Sequence, residues 1–164
     1  MTSEQGTIDP TAAGASTADR EIVLTRVFDA RPELVFQAWT DPRHLPHWWG
    51  PDGFTITLHE CEVRVGGTCR FTMHGPDGTD YPNRIVYREI VRPERLVYDH
   101  GDDVDDDPNM FLVTVTFGDE GGRTRLTSRM LFPTAAQRNG AAAYGAVELG
   151  NQTMAKLAEY LKTM

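Results

Sequence analysis

Between Phe54 and Phe132 apolar and polar residues alternate in short runs, each closed by glycine, proline or aspartate. A period of two is the mark of strands with one dry and one wet face. Phe54 to Val63 runs to Gly66-Gly67, Thr68 to His74 to Gly75-Pro76-Asp77-Gly78, and Arg84 to Val91 to Arg92-Pro93-Glu94. Leu96 to His100, Phe111 to Phe117 and Thr124 to Phe132 follow, and the β-branched stretch Glu21 to Phe28 adds an earlier strand. Short links between consecutive strands favour an antiparallel meander, because a parallel pair needs a crossover each time. Alternation puts Phe111, Val113, Val115 and Phe117 on one face, with Leu126, Ser128, Met130 and Phe132 on the same side.

Two regions change to helical spacing. Pro32 suits a first helical turn, where its missing N–H costs nothing, and Leu34, Val35, Ala38 and Trp39 form a stripe that Thr40-Asp41-Pro42 stops. Asp41 can cap a second, short helix carrying Leu45, Trp48 and Trp49. Near the C-terminus a long helix is expected from about Ala141 to Lys162, ~33 Å at ~1.5 Å per residue, with Gly140 ending a short turn before it. Its inward stripe reads as Tyr144, Val147, Asn151, Met154, Ala158 and Leu161. Gly145 and Gly150 fall inside it, and read either as places where backbone comes close to the sheet or a ligand or as residues the helix simply tolerates. The dry face of the sheet needs a cover, and this helix is the late element able to supply it. The expected fold class is therefore α+β: a curved antiparallel sheet of about seven strands wrapped round a C-terminal helix.

Residues 1–19 are small, polar and interrupted by glycine and proline, and read as a disordered tail; residues 20–164 read as one domain. The balance of 16 basic against 24 acidic residues gives −8, which disfavours nucleic acid or an anionic membrane as a partner. No run of eighteen apolar residues and no secretory leader pattern is present, so a cytoplasmic protein without a membrane span is expected. Pairing across Gly66-Gly67 sets Cys61 opposite about Thr72 and Cys69 opposite about Arg64, so the two thiols should not face each other. His44 and His47 lack companion ligands at metal spacing, and neither a metal nor a cofactor is expected. The acidic loop Asp102 to Asp107 lacks the glycine and terminal glutamate of a calcium loop and reads as a solvated loop near a cavity mouth.

The order strand, two short helices, six strands, long helix resembles the helix-grip fold of the START-like, birch-pollen-allergen-like superfamily (SRPBCC). Pro32-Glu33-Leu34-Val35-Phe36-Gln37-Ala38-Trp39-Thr40-Asp41-Pro42, Trp48-Trp49-Gly50-Pro51-Asp52-Gly53-Phe54, Arg64-Val65-Gly66-Gly67 and Gly75-Pro76-Asp77-Gly78 resemble the heat-shock protein 90 ATPase activator homologue family within it. The likeness continues through Arg92-Pro93-Glu94-Arg95-Leu96-Val97 and Gly121-Gly122-Arg123-Thr124-Arg125-Leu126-Thr127, covering residues 21–162. It implies a cavity between sheet and helix more firmly than any activity. Where many relatives carry Gly-Trp in the last helix this chain has Gly150-Asn151, which implies a larger or more polar cavity there.

The candidate ligand-binding residues are Trp48, Trp49, Met73, Tyr87, Tyr98, His100, Val113, Tyr144, Asn151 and Met154, with Trp39 assigned to packing. They combine large apolar surfaces with a few polar handles, the mixture that orients a small apolar molecule. Asn151 is expected to bond a ligand, a buried water or a tyrosine hydroxyl, since a buried amide left unpaired costs several kcal/mol. His59, His74 and His100 invite acid–base chemistry, but no nucleophile stands beside them in a recognisable motif. The leading expectation is binding of a lipid, polyketide or aromatic metabolite. A cyclase or dehydratase using the same cavity comes second, and an ATPase-stimulating co-chaperone last. Leu149 and Tyr160, read as outward, make a homodimer an expectation as well.

Overall fold

The computed structural model describes residues 16–164. The disordered tail expected for residues 1–19 therefore lies mostly outside the described residues; of its last four, Ala18 and Asp19 enter a 3-10 turn, Ala18–Arg20. Seven strands follow among the described residues: β1 (Glu21–Phe28), β2 (Thr55–Cys61), β3 (Thr68–His74), β4 (Asp80–Val91), β5 (Arg95–Asp102), β6 (Phe111–Glu120) and β7 (Arg123–Leu131). Helix α1 (Pro32–Thr40) lies between β1 and β2, and α2 (Ala135–Ala143) and α3 (Ala146–Leu161) end the chain. The sheet is antiparallel in the order β1-β7-β6-β5-β4-β3-β2. Local hairpins make the meander from β2 to β7, and β1 closes onto β7 in a register running from Glu21 opposite Leu131 to Phe28 opposite Thr124. This architecture is the helix-grip fold.

The dry face follows the alternation. Val113, Val115, Phe117, Leu126 and Ser128 are buried, and so are Ile85, Tyr87, Leu96 and Tyr98 on the neighbouring strands. Helix α1 contributes Val35, Phe36, Ala38 and Trp39, while α3 contributes Met154, Leu157 and Leu161. Each fully buried large side chain supplies ~1.5–3 kcal/mol. The wet face carries paired charges instead: Arg88 with Asp99, Arg95 with Glu89, Arg125 with Glu120 and Arg129 with Glu21. Such exposed pairs keep the face soluble and add little stability.

Four local expectations change. The second short helix is a 3-10 turn, Leu45–His47, with Pro46 in its first turn and the Trp48 N–H closing it onto Leu45 O. The C-terminal helix breaks at Gly145, whose φ of 100° lies in the left-handed region, and not at Gly140. The break separates Tyr144 from the helix that follows, and within α3 the inward face centres on Gly150, Met154, Leu157 and Leu161, which leaves Val147 and Asn151 exposed beside it. The thiols do face each other: Cys61 pairs with Cys69, because the strands are joined by a wide loop from Glu62 to Gly67 in place of a tight turn at Gly66-Gly67. Both are free, and the adjacent Cys61 thiol together with burial pushes the pKa of Cys69 up.

Gly67 shows how tightly the β2–β3 connection is folded. A Cβ there would lie 2.1 Å from Glu62 O and 2.9 Å from Arg64 O. The loop is pinned to β4 by Gly66 N donating to Tyr87 O and Tyr87 N donating to Gly67 O, at 2.8 and 3.0 Å.

Candidate functional site

Sheet and α3 do not close on one another completely. A cavity of about 490 Å³, partly open to solvent, lies between them and is bordered by Leu24, the three tryptophans, Met73, Tyr98, His100, Val113, Met130 and Met154. Protein interiors otherwise pack like organic crystals, so a gap of this size is not a packing residue. A smaller void of about 20 Å³ lies deeper, walled by Trp39, Trp49, Phe71, Tyr87, Leu96 and Tyr98. It has room for one water at most, and its apolar wall offers such a water nothing to bond.

The tryptophans are positioned by the short segment after α1. Trp39 and Trp48 meet edge to face at 4.9 Å, and Trp39 and Trp49 at 5.5 Å. Trp48 Nε1 donates to Ala38 O at 3.1 Å, which locks that ring in the core, while Trp49 is half-buried and reaches Phe71 and His100. Trp39 Nε1 finds no acceptor among the described residues, an omission that costs about 1–3 kcal/mol.

The polar end is assembled by strand register. Asn83 stands opposite Asp102, and Ile85 opposite His100, so the end of β5 and the middle of β4 present His100, Gly101 and Asn83 together. Asn83 Nδ2 donates to Tyr81 O at 2.8 Å, which orients the amide; its Oδ1 then accepts from His100 Nε2, also at 2.8 Å. The proton is thereby fixed on Nε2 and the lone pair on Nδ1, for which no partner exists among the described residues. Burial pushes the pKa of His100 down to about 4, so the ring is neutral at physiological pH. Asp107, buried, accepts from Asp102 N at 2.8 Å and from Asn109 N at 3.0 Å. A Cβ on Gly101 would lie 2.5 Å from Asp107 Oδ2: glycine is what lets this carboxylate reach the cavity wall.

Of the ten candidate residues, the fold brings Trp48, Trp49, Met73, Tyr98, His100, Val113, Tyr144 and Met154 to this one cavity. Tyr87 borders the deep void instead, and burial pushes its hydroxyl pKa up. Tyr144 stands at the rim and is 77% exposed, because it ends α2 just before the break. Asn151 is a correction: it points to solvent and borders neither cavity, so the missing indole does not enlarge the cavity at that point. His59 and His74 lie away from the cavity, bonded to Thr72 and Thr57. Leu149, expected outward, lines the cavity, and Tyr160 bonds His44 Nδ1 at 2.6 Å and stacks on His47 at 5.3 Å, so neither is a free surface contact for a second copy. The acidic loop is tied down by Arg70 and Arg84 to Asp103 and by Arg84 to Asp105. Asn83 and Gly101 were not singled out from the sequence, and Asp107 entered only as the last residue of a solvated loop, whereas it is buried; the glycine in an otherwise regular strand was the available signal.

A family model described as Activator of Hsp90 ATPase homolog 1-like protein matches residues 29–162. Among solved structures, a protein from Arthrobacter aurescens is 27% identical, with a TM-score of 0.83 over 92% of this chain and 90% of that one. A protein from Nitrosomonas europaea (24% identical, TM-score 0.80, covering 89% of this chain and 96% of that one) shares the fold. So does one from Silicibacter pomeroyi (22% identical, TM-score 0.68, covering 87% and 98%). No curated protein matches the chain.

Proposed function

The chain belongs to the family of activator of Hsp90 ATPase homolog 1-like proteins, and from that premise we propose that it binds a small, largely apolar molecule between its sheet and C-terminal helix. The observation that carries this reading is the cavity itself, about 490 Å³ and bordered mainly by aromatic and aliphatic side chains with a few polar groups at one end. Ligand sites of this kind commonly run to ~300–1,000 Å³. Binding is favoured over catalysis by the one imidazole in the wall: a group with a pKa near 4 is a weak proton acceptor at neutral pH, and its second nitrogen is held by Asn83.

Native mass spectrometry of the purified protein should show a co-purifying apolar molecule, or, after its extraction, saturable binding of a neutral fluorophore such as N-phenylnaphthylamine. Val113→Trp, which fills the cavity floor from β6, should abolish that binding while the protein remains folded. A folded protein that takes up neither a natural ligand nor the fluorophore would overturn the reading.

A further inference from the structure

We infer that the ligand is an aromatic alcohol or amine, neutral or cationic, that enters with its hydrogen-bond donor toward His100 and Asp107, and that carboxylates and phosphates are rejected. The inference rests on the binding function proposed above and specifies what is bound.

Charge decides the sign. Among the described residues no lysine or arginine borders the cavity, whereas Asp107 stands in its wall and Asp102 at its rim. Lys156, on the same helix as Met154 and Thr153, borders a separate surface pocket and donates to the carbonyls of Pro51 and Phe54, so it is not among the residues that line the cavity. An anionic head group would face carboxylate without a counter-charge, and the net charge of −8 would oppose its approach from a distance as well.

Hydrogen bonding points the same way. His100 offers a lone pair at Nδ1, since Asn83 fixes the proton on Nε2. Each oxygen of Asp107 takes one backbone N–H and keeps accepting capacity for a second donor. Both groups call for a donor from the ligand. The body of the guest is set by the rings around His100: Phe111 at 5.2 Å, Trp49 at 6.1 Å and Tyr98 at 6.5 Å, tilted faces that suit a flat ring and, for an amine, offer their π electrons to the positive charge.

The test compares three molecules with one ring system, naphthylmethanol, naphthylmethylamine and naphthoate, by quenching of tryptophan fluorescence at neutral pH and matched ionic strength. The alcohol and the amine should bind at least about tenfold more tightly than naphthoate. Naphthoate binding as tightly as the alcohol would overturn the inference and leave the cavity's binding function standing; failure of all three to bind the folded protein would overturn both. Asn109→Lys places a cation on the exposed loop at the polar end while keeping the backbone N–H that Asp107 accepts. It should raise the affinity for naphthoate several-fold over wild type and lower that for the amine, and an unchanged order of affinities would count against the inference.

Discussion

Gly150→Ala tests whether the space beneath α3 exists. Gly150 faces β1, and a Cβ there would sit 2.4 Å from Leu24 Cδ1 and 3.8 Å from its Cγ. Ordinary carbon contacts begin at ~3.5 Å, so Leu24 must move by about 1 Å or more. Because the obstacle is the tip of a side chain and Leu24 borders the cavity, the movement has somewhere to go. Alanine for glycine inside a helix gains up to ~1 kcal/mol, and a displaced leucine rotamer costs ~0.5–1.5 kcal/mol. Stability measured by urea unfolding should therefore stay within about 1 kcal/mol of wild type. Ligand affinity should not. Leu24 would occupy room worth one or two methylenes of contact, about 1–2 kcal/mol, or roughly 5- to 30-fold in Kd for N-phenylnaphthylamine. A variant that loses several kcal/mol of stability has no cavity for Leu24 to enter, and one with unchanged stability and unchanged affinity has its ligand elsewhere; either result refutes the reasoning.

Three further outcomes follow from the geometry. Gly67→Ala should lose more than about 3 kcal/mol in the same urea assay, because both atoms it strikes, Glu62 O and Arg64 O, are backbone and cannot swing aside. Asn151→Leu should leave fluorophore affinity unchanged, since that side chain points to solvent, and a several-fold change would place the helix in the wrong phase. His100 is neutral when folded, with its pKa at about 4 against the ordinary 6.5, so the unfolded chain takes up the proton first; stability should fall as pH drops from about 6.5 to about 4 and level off below, by roughly 3 kcal/mol in all. Unfolding free energies that are flat across that window, or that fall equally in His100→Gln, would show the imidazole to be solvated.

The sheet was legible because its evidence is local: alternation and turn residues place seven strands, and Pro32 opens α1 where its fixed φ suits a first turn. The last helix was harder for a definite reason. Gly140, Gly145 and Gly150 are indistinguishable as letters, yet one lies within α2, one adopts the left-handed conformation and breaks the rod, and one receives Leu24. Within α3 the expected stripe ran through Val147 and Asn151, on one side of Met154, whereas the buried face lies on the other, through Gly150 and Leu157. The cysteines failed because the glycine pair Gly66-Gly67 reads as a tight turn, whereas the whole segment from Glu62 to Gly67 is loop, so every expected pairing between the two strands slipped. Asp107 was hidden because its approach depends on a missing side chain at Gly101, on the strand that the loop leaves, and no local pattern links the two.

The left-handed residue at Gly145 also divides the C-terminal region into pieces of unequal tenacity. Helix α3 is anchored by Met154, Leu157 and Leu161, whereas α2 has no buried residue and is held by its Thr134 cap and by bonds from Gln137 to Pro108 and from Arg138 to Glu21. Amide deuterium uptake should accordingly separate them, with 135–143 exchanging through cheap local openings long before 150–161 releases its protons in global unfolding. The roof of the cavity is thus the firm piece, since Leu149, Gly150, Thr153 and Met154 border it and no residue of 135–143 does.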